Sequence, residues 1–549
     1  MIELTYQLPD AVVADTKAFR QDVEKYLSGE TSASALKELR VPMGIYEQRE
    51  NDTYMVRVRG AAGIYLPHQV KLIAELSRQY GNGIIHATTR QNLQIHGVKI
   101  QDTPAILERL LAVGLSTQGG GGNTVRNISA CPLAGACDDE LFDVTPYALA
   151  LTEYLLSDPN NFRLPRKFKV AFSGCGKDCG LASVADLGFF AHKRDGVRGF
   201  AVYAGGGMGA HCALAIQIED FVPTEAIFEV AEAVKRLFDK HGDRINRSKA
   251  RLRFVVEKLG VDDFRSNYRG ELELVKQEKI QFPTLSESKK TARLSAVKIT
   301  LPLGDIPAHQ LTAIADIATN LCDGTIRTTQ EQGLQLRAPE SCTHELIVAV
   351  RNIDRKFIDA QPVRCVACAG ASICRTGICL SRGLATAIET ELKSVLMPFE
   401  ALIRISGCPN SCGHHPVSPL GLYGSASRVN GRLVNFYNIV AGGQLAEGNS
   451  TLAQAVAKVP AKAVPGLLKE FFSATALDWQ KDESFHDLMI RWGIEHLREL
   501  AKQRESVPPY ENVPEYYRDF GSCTDFSLGA ENQVESVSDV RILDIDESK

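Results

Sequence analysis

A cysteine spacing that occurs twice, inside a longer stretch that also occurs twice, restricts this chain more than any other feature. Cys368 and Cys374 are spaced C-x5-C and are followed by Cys408 and Cys412, spaced C-x3-C within SGCPNSC. Cys131 and Cys137 repeat the first spacing, and Cys175 and Cys179 repeat the second within SGCGKDC. Four thiolates brought from two loops suit a cubane iron–sulfur cluster, in which each iron takes one soft sulfur ligand. Structural zinc prefers C-x2-4-C knuckles, which the longer gap does not match. A disulfide framework suits small secreted chains, whereas a large chain lacking an export signal is expected to keep its thiols reduced. Iron–sulfur is therefore the expectation for the later set. For the earlier set, spacing alone leaves a cluster and plain buried thiols both open.

The cysteines sit within a duplication. Ile64 to Gly97, with IYLPHQVKLIAELSRQYGNGIIHATTRQNLQIHG, matches the stretch from Ile299 to Arg337. Both read as strand, amphipathic helix, strand, tight turn, strand. The helices carry apolar residues at three- and four-residue steps, Val70, Ile73, Leu76 in one and Leu311, Ile314, Ile317 in the other. After each cysteine set, alternating apolar residues flank Asp195-Gly196 and Asn430-Gly431, the signature of a hairpin.

With 549 residues the chain exceeds one hydrophobic core, so three to four units of about 150 residues are expected. The expected division is an N-terminal charged arm (1–40), a first α/β half-domain (41–115), a cation-bearing domain (116–282), a polar join and second half-domain (283–350), a cysteine-bearing domain (351–504) and an acidic tail (505–549). A net charge of −4 gives no argument for nucleic acid or membrane as partner, and no apolar run is long enough to span a bilayer. The N-terminus lacks a basic-then-apolar export signal, so a cytoplasmic protein is expected. Cys212, Cys322, Cys342, Cys365, Cys379 and Cys523 lie outside the paired sets and read as plain thiols.

A cluster alone only moves electrons, so the chemistry depends on what accompanies it. The first repeat carries Arg90 in TTRQNLQIHG, Arg126 in GGGGNTVRNISAC, and Lys167 and Lys169 in LPRKFK. The two lysines alternate on an extended segment and so share a face. Ungapped alignment of the repeats places Glu331 opposite Arg90, Glu400 opposite Lys167 and Leu402 opposite Lys169. Taken singly, each cation reads as a solvated surface group. Their joint presence beside the cysteines, and their loss from the sister repeat, point to one anion pocket. The runs Gly119–Gly122 and Gly205–Gly207 do not match a dinucleotide fingerprint opening a helix, and suit backbone amides approaching a carboxylate-bearing cofactor.

Through these motifs (TTRQNLQIHG, NTVRNISACP, LPRKFK, C-x5-C and SGCPNSC), residues 40–500 resemble the siroheme-dependent sulfite and nitrite reductases. The resemblance implies an α+β, internally duplicated fold: two ferredoxin-like half-domains plus two siroheme/iron–sulfur-binding α/β domains about a pseudo-twofold. It implies siroheme and one [4Fe-4S] cluster on Cys368, Cys374, Cys408 and Cys412, with Cys412 also the ligand of the siroheme iron. Arg90, Gln94, His96, Asn123, Asn127 and Arg166 become candidates to hold the siroheme carboxylates. Arg90, Arg126, Lys167 and Lys169 become the substrate clamp and proton donors. The complete earlier quartet departs from the simpler members and suggests a second cluster on Cys131, Cys137, Cys175 and Cys179, the alternative being vestigial buried thiols.

Lysine at position 169, where many nitrite reductases of the family place asparagine, favours sulfite over nitrite as substrate. The electron donor is expected to be external, a ferredoxin or a reductase subunit, since no flavin or nicotinamide signature is present. Three other readings are weaker. They are ammonia-forming nitrite reduction, a cobalamin-pathway oxygenase on the same fold, and a non-catalytic iron–sulfur electron-transfer or scaffold subunit, which would need no anion pocket.

Overall fold

The computed structural model describes residues 7–285, 294–359 and 361–528. Part of the expected polar join, and the tail from 529 onward, lie outside the described residues. The chain divides into two compact units: Met1–Ala360 with Gln444–Leu452, and Gln361–Gly443 with Ala453–Lys549. Among the described residues no helix is long and apolar enough to cross a membrane.

The first unit contains both half-domains, and they exchange edge strands. One sheet runs, in spatial order, Ile45–Glu47, Tyr54–Arg59, Asn92–Val98, Ile84–Ala87 and then Asp305–Pro307, borrowed from the second repeat. The other runs Leu294–Ile299, Leu334–Pro339, Ile326–Thr328 and then Ile64–Tyr65, borrowed from the first. A single 3-10 turn precedes each borrowed strand, and in each a non-glycine residue takes the left-handed conformation: Ala62 at φ 53° and Leu303 at φ 50°. That turn carries the chain out of its own sheet and into its partner's. Helices Pro67–Tyr80 and Ala308–Leu321 pack on each other, and Ile73, Ile95, Ile314 and Leu336 belong to one continuous core. A single half-domain would bury too little apolar surface to stand alone, so sharing a core is the economical solution.

The first unit also holds a five-stranded sheet ordered Ile216–Pro223, Val197–Ala204, Leu187–Arg194, Val170–Ser173, Ser129–Ala130, packed around Phe168, Phe172, Phe189 and Phe200. The second unit repeats that order, read from the opposite edge: Val363–Ala367, Ala401–Ser406, Leu420–Val429, Arg432–Ala441, Gln454–Pro460. In both sheets the first two strands in chain order are parallel neighbours, and each delivers its cysteine pair at its C-terminal end. The expected hairpins are present with both turn residues at positive φ, 51° and 79° at Asp195-Gly196 and 49° and 80° at Asn430-Gly431.

The N-terminal arm is two helices, Asp10–Leu27 and Ala33–Arg40, which bury Val12, Phe19, Val23 and Leu36. The expected acidic tail is described through residue 528 and packs on the second unit. Tyr517 and Asp519 are buried, and Asp519 accepts the amide of Leu380 at 2.7 Å.

Candidate active site

In the first unit the turn Thr88–Gln91 presents Arg90. Thr88 Oγ1 accepts the amides of Arg90 (3.2 Å) and Asn92 (3.1 Å), and Gln91 is left-handed at φ 56°. The Asn127 amide donates to the carbonyls of Gly60 (2.8 Å) and Arg90 (3.3 Å), so this residue holds the turn from beneath and is itself buried. Arg90 Nη2 donates to the Val170 carbonyl at 2.8 Å, while its buried Nε has no partner among the described residues. Arg126 donates to the carbonyls of Gly120 and Gly122, both at 3.0 Å, and its Nε is likewise buried without a partner.

Lys167 and Lys169 flank Phe168, which is fully buried, so both lysines lie on the opposite face as the alternation implies. The regular strand starts only at Val170, with Phe168 held by an isolated bridge to Val125. Close to Lys169 lies the carboxylate of Asp186. It accepts the Lys169 amide at 2.9 Å and a fork from Arg251, Nε at 3.0 Å and Nη2 at 2.8 Å. Burial pushes Arg90 down to about 9, with Asp186 opposing the shift and Arg126, Arg251 and Arg59 adding to it. Burial also holds Lys169 well below the usual lysine range, reinforced by Arg90, Lys167 and Arg251 and opposed by Asp186. A set of guanidinium and ammonium groups so crowded, with the Asp186 carboxylate among them, is built to receive an anion.

Arg251, Arg253 and Asp186 escaped the sequence reading, because each is a single residue in an unremarkable context. A signal was present in the glycines: a Cβ on Gly207 would lie 2.7 Å from Arg253 Nη1 and 3.0 Å from Arg251 Nη2. These glycines make room for arginines. Burial pushes Arg253 down to about 10, and its Nε and Nη1 are buried without partners among the described residues. The earlier glycine run departs from expectation. The amides of Gly119, Gly120 and Gly122 are taken by the Pro42 carbonyl, the Thr117 carbonyl and the Tyr46 hydroxyl, and a Cβ on Gly121 would strike the Val41 carbonyl at 2.1 Å. The run serves close packing against residues 41–46, and its carbonyls aim Arg126.

The other expected cofactor contacts divide into pairs. Arg166 Nη1 donates to Asn123 at 3.3 Å, and burial beside Arg247 and Arg251 holds Arg166 below its ordinary value. Gln94 and His96 lie on the strand Asn92–Val98. With its amide oriented to satisfy both ends, Gln94 accepts from Arg57 Nε and Nη2, both at 2.9 Å, and donates to His96 at 3.3 Å. Arg57 in turn donates to the Gly120 carbonyl at 2.7 Å, which ties this pair to the loop that aims Arg126.

In the second unit the four cysteines gather at the ends of Val363–Ala367 and Ala401–Ser406. Cys368 accepts the Gly407 amide at 3.2 Å, Cys374 lies 3.2 Å from Thr376 Oγ1, and Cys408 accepts the Asn410 amide. Burial and then the neighbouring Cys412 push Cys368 up to about 12. No three His, Cys, Asp or Glu among the described residues converge closely enough to hold one metal ion. For the anionic macrocycle the fit lies in the first unit, in the orphaned guanidinium nitrogens of Arg90, Arg126 and Arg253.

Below the SGCPNSC loop His415 is buried, with Nδ1 2.9 Å from Ser406 Oγ and its ring stacked on Tyr423. Burial pushes it down to about 3. The unfolded chain takes up this proton near pH 6.5 while the folded chain resists, so stability is lost as pH falls from about 6.5 toward about 3 and is level above that window. Each unit within it costs about 1.4 kcal/mol. Urea midpoints should fall across this range, and His415→Gln should flatten the slope; parallel slopes would refute the assignment.

Fold and site together define a duplicated iron–sulfur protein with a cation-rich anion site. The profile described as "Nitrite and sulphite reductase 4Fe-4S domain" matches residues 121–276 and 359–509, and that described as "Nitrite/Sulfite reductase ferredoxin-like half domain" matches 46–113 and 286–341. The chain belongs to the nitrite and sulphite reductase family, whose cofactors are siroheme and a [4Fe-4S] cluster. It is 32% identical over 437 residues to a ferredoxin–nitrite reductase of Synechococcus elongatus, covering 76% of this chain and 85% of the relative. It is 28% identical over 450 residues to sulfite reductase [ferredoxin] 1 of Mycolicibacterium paratuberculosis, covering 74% and 79%. The solved NirA protein of Mycobacterium tuberculosis shares the fold, with a TM-score of 0.77 at 23% identity over 88% of this chain and 95% of that one.

Proposed function

We propose that this enzyme reduces sulfite to sulfide, drawing electrons from a ferredoxin or a separate reductase subunit. The observation that carries this reading is Lys169, held among Arg90, Lys167 and Arg251 with Asp186 as the opposing charge. When bound, siroheme and the cluster supply the iron that takes the anion and the electrons that reduce it. Cys368, Cys374, Cys408 and Cys412 hold the cluster, and Cys412 also serves the siroheme iron. Arg90, Arg126, Arg166 and Asn123 balance carboxylates and substrate charge. Asn127 orients Arg90 from the backbone side, and Gln94 with His96 orients Arg57.

The lysines do the proton work. Three oxygens must leave sulfite as water, and each departure needs protons at the oxygen. An ammonium held below its ordinary range gives up its proton readily near neutral pH, which suits Lys169 Nζ as donor. An incoming dianion favours the charged form, so substrate binding itself protonates the site.

Nitrite reduction to ammonia is the second reading, favoured by the names of relatives such as that of Synechococcus elongatus. Lys169→Asn separates the two. Near neutral pH sulfite is largely dianionic and nitrite carries one charge, so losing a cation penalises sulfite more. With a charge-assisted hydrogen bond worth roughly 1.5–3 kcal/mol, sulfite kcat/KM should fall about tenfold or more relative to nitrite under the same artificial donor. Equal losses on both anions would remove the basis for a sulfite preference.

A further inference from the structure

The cysteines of the first unit have so far no role in the reaction, yet the backbone around them repeats several features of the second unit. The Cys131 amide donates to the Phe172 carbonyl at 3.1 Å, and the Cys368 amide donates to the Ile405 carbonyl at 3.1 Å. The Gly180 amide donates to Ser173 Oγ at 3.2 Å, and the Gly413 amide to Ser406 Oγ at 3.0 Å. Backbone N–H groups two residues on are aimed at the sulfurs: Leu133 at Cys131 as Gly370 at Cys368, and Lys177 at Cys175 as Asn410 at Cys408. The left-handed residues match as well, Asp178 at φ 53° with Ser411 at 59°, and Leu181 with His414 at 65° each. Vestigial thiols have no reason to keep N–H donors directed at sulfur in strained loops, because a neutral buried thiol is a weak acceptor.

Two features are particular to the first unit. Cys131 and Cys179 interact directly with each other. Behind the set stand two arginines from the second half-domain. Arg337 Nη1 donates to the Ala134 carbonyl, within the Cys131–Cys137 loop, and the same guanidinium forks onto Asp323. Arg327 is fully buried, donates to Thr145 Oγ1 at 3.3 Å, interacts electrostatically with Cys131, and keeps a buried Nε without a partner among the described residues. Arg337 is already balanced by Asp323, whereas Arg327 meets Asp143 and Asp323 only through the field; a cube held by four thiolates would add an anion beside it.

We propose that Cys131, Cys137, Cys175 and Cys179 hold a second [4Fe-4S] cluster, with Arg327 as its buried counter-charge. The measurement is metal and inorganic sulfide per chain in anaerobically purified, siroheme-loaded enzyme. Two clusters and one siroheme require about nine irons and about eight sulfides, against about five and about four for one cluster. Values near five in protein with full siroheme, or zinc in place of the extra iron, would overturn the proposal. Cys175→Ser combined with Cys179→Ser should remove about four irons and leave the siroheme bands in place. Arg327→Gln leaves every ligand intact and removes one positive charge, so the midpoint potential of one cluster signal should fall while the other stays fixed. Two unmoved potentials would count against the site. Should the siroheme reading fail instead, the iron of the macrocycle would be missing while about eight cluster irons remained, so the two failures are distinguishable.

Discussion

Replacement of Cys412 by serine is expected to abolish reductase activity and to strip the second unit of its cluster and the enzyme of its siroheme absorption together. The expectation rests on one sulfur serving two metals. A serine hydroxyl is a hard, weakly acidic ligand where the iron of a cluster requires a soft thiolate. Cys408 of the SGCPNSC pair is buried and Cys412 is exposed, as Cys374 also is, so the choice of Cys412 rests on the family resemblance. Loss of siroheme with the cluster would separate this residue from a simple cluster ligand. An intact siroheme spectrum with residual activity would refute the shared ligand. If the first unit carries its own cluster, about four irons should survive the substitution, which also reports that the chain has folded.

Much of the fold could be read in the sequence because the duplication supplies its own check. Helix periodicity at Val70, Ile73 and Leu76 recurs at Leu311 and Ile314, and both hairpin dipeptides lie where alternation breaks. The strand exchange could not be read. Ile64–Tyr65 and Asp305–Pro307 are too short to state a partner, and periodicity is blind to which sheet a strand joins. Of the site, the cysteines and the cationic motifs were legible as spacing and asymmetry. The balance of charge was not, because Asp186 and Arg251 are far apart in sequence and belong to no motif. Asn127 and the glycine run carry the same lesson from the other side. The Asn127 side-chain N–H and the carbonyls of Gly120 and Gly122 aim Arg90 and Arg126, a use no motif spells out, while Asn127 Oδ1 is buried without a partner among the described residues.

Asp186 is where stability and catalysis meet, and its replacement by asparagine should be costly to both. Its side chain is fully buried and is the partner of Arg251, whose side chain is 5% exposed. Removing the charge leaves Arg251 buried beside Arg90 and Lys169 with nothing to offset it, and stranding one member of a buried pair typically costs about 3–5 kcal/mol. The urea midpoint should fall accordingly. Neutralising both partners, with Asp186→Asn and Arg251→Met together, should recover most of that loss, since the penalty comes from the stranded cation rather than from the missing bond. The catalytic consequence has a definite sign. Asp186 holds Lys169 above the value that burial and its cationic neighbours would otherwise impose. Without it Lys169 loses its proton at lower pH, so the alkaline limb of the sulfite kcat/KM profile should move toward acid. A stability change under about 1 kcal/mol, or an unmoved alkaline limb in a well-folded variant, would show that Asp186 neither balances this cluster nor tunes its lysine.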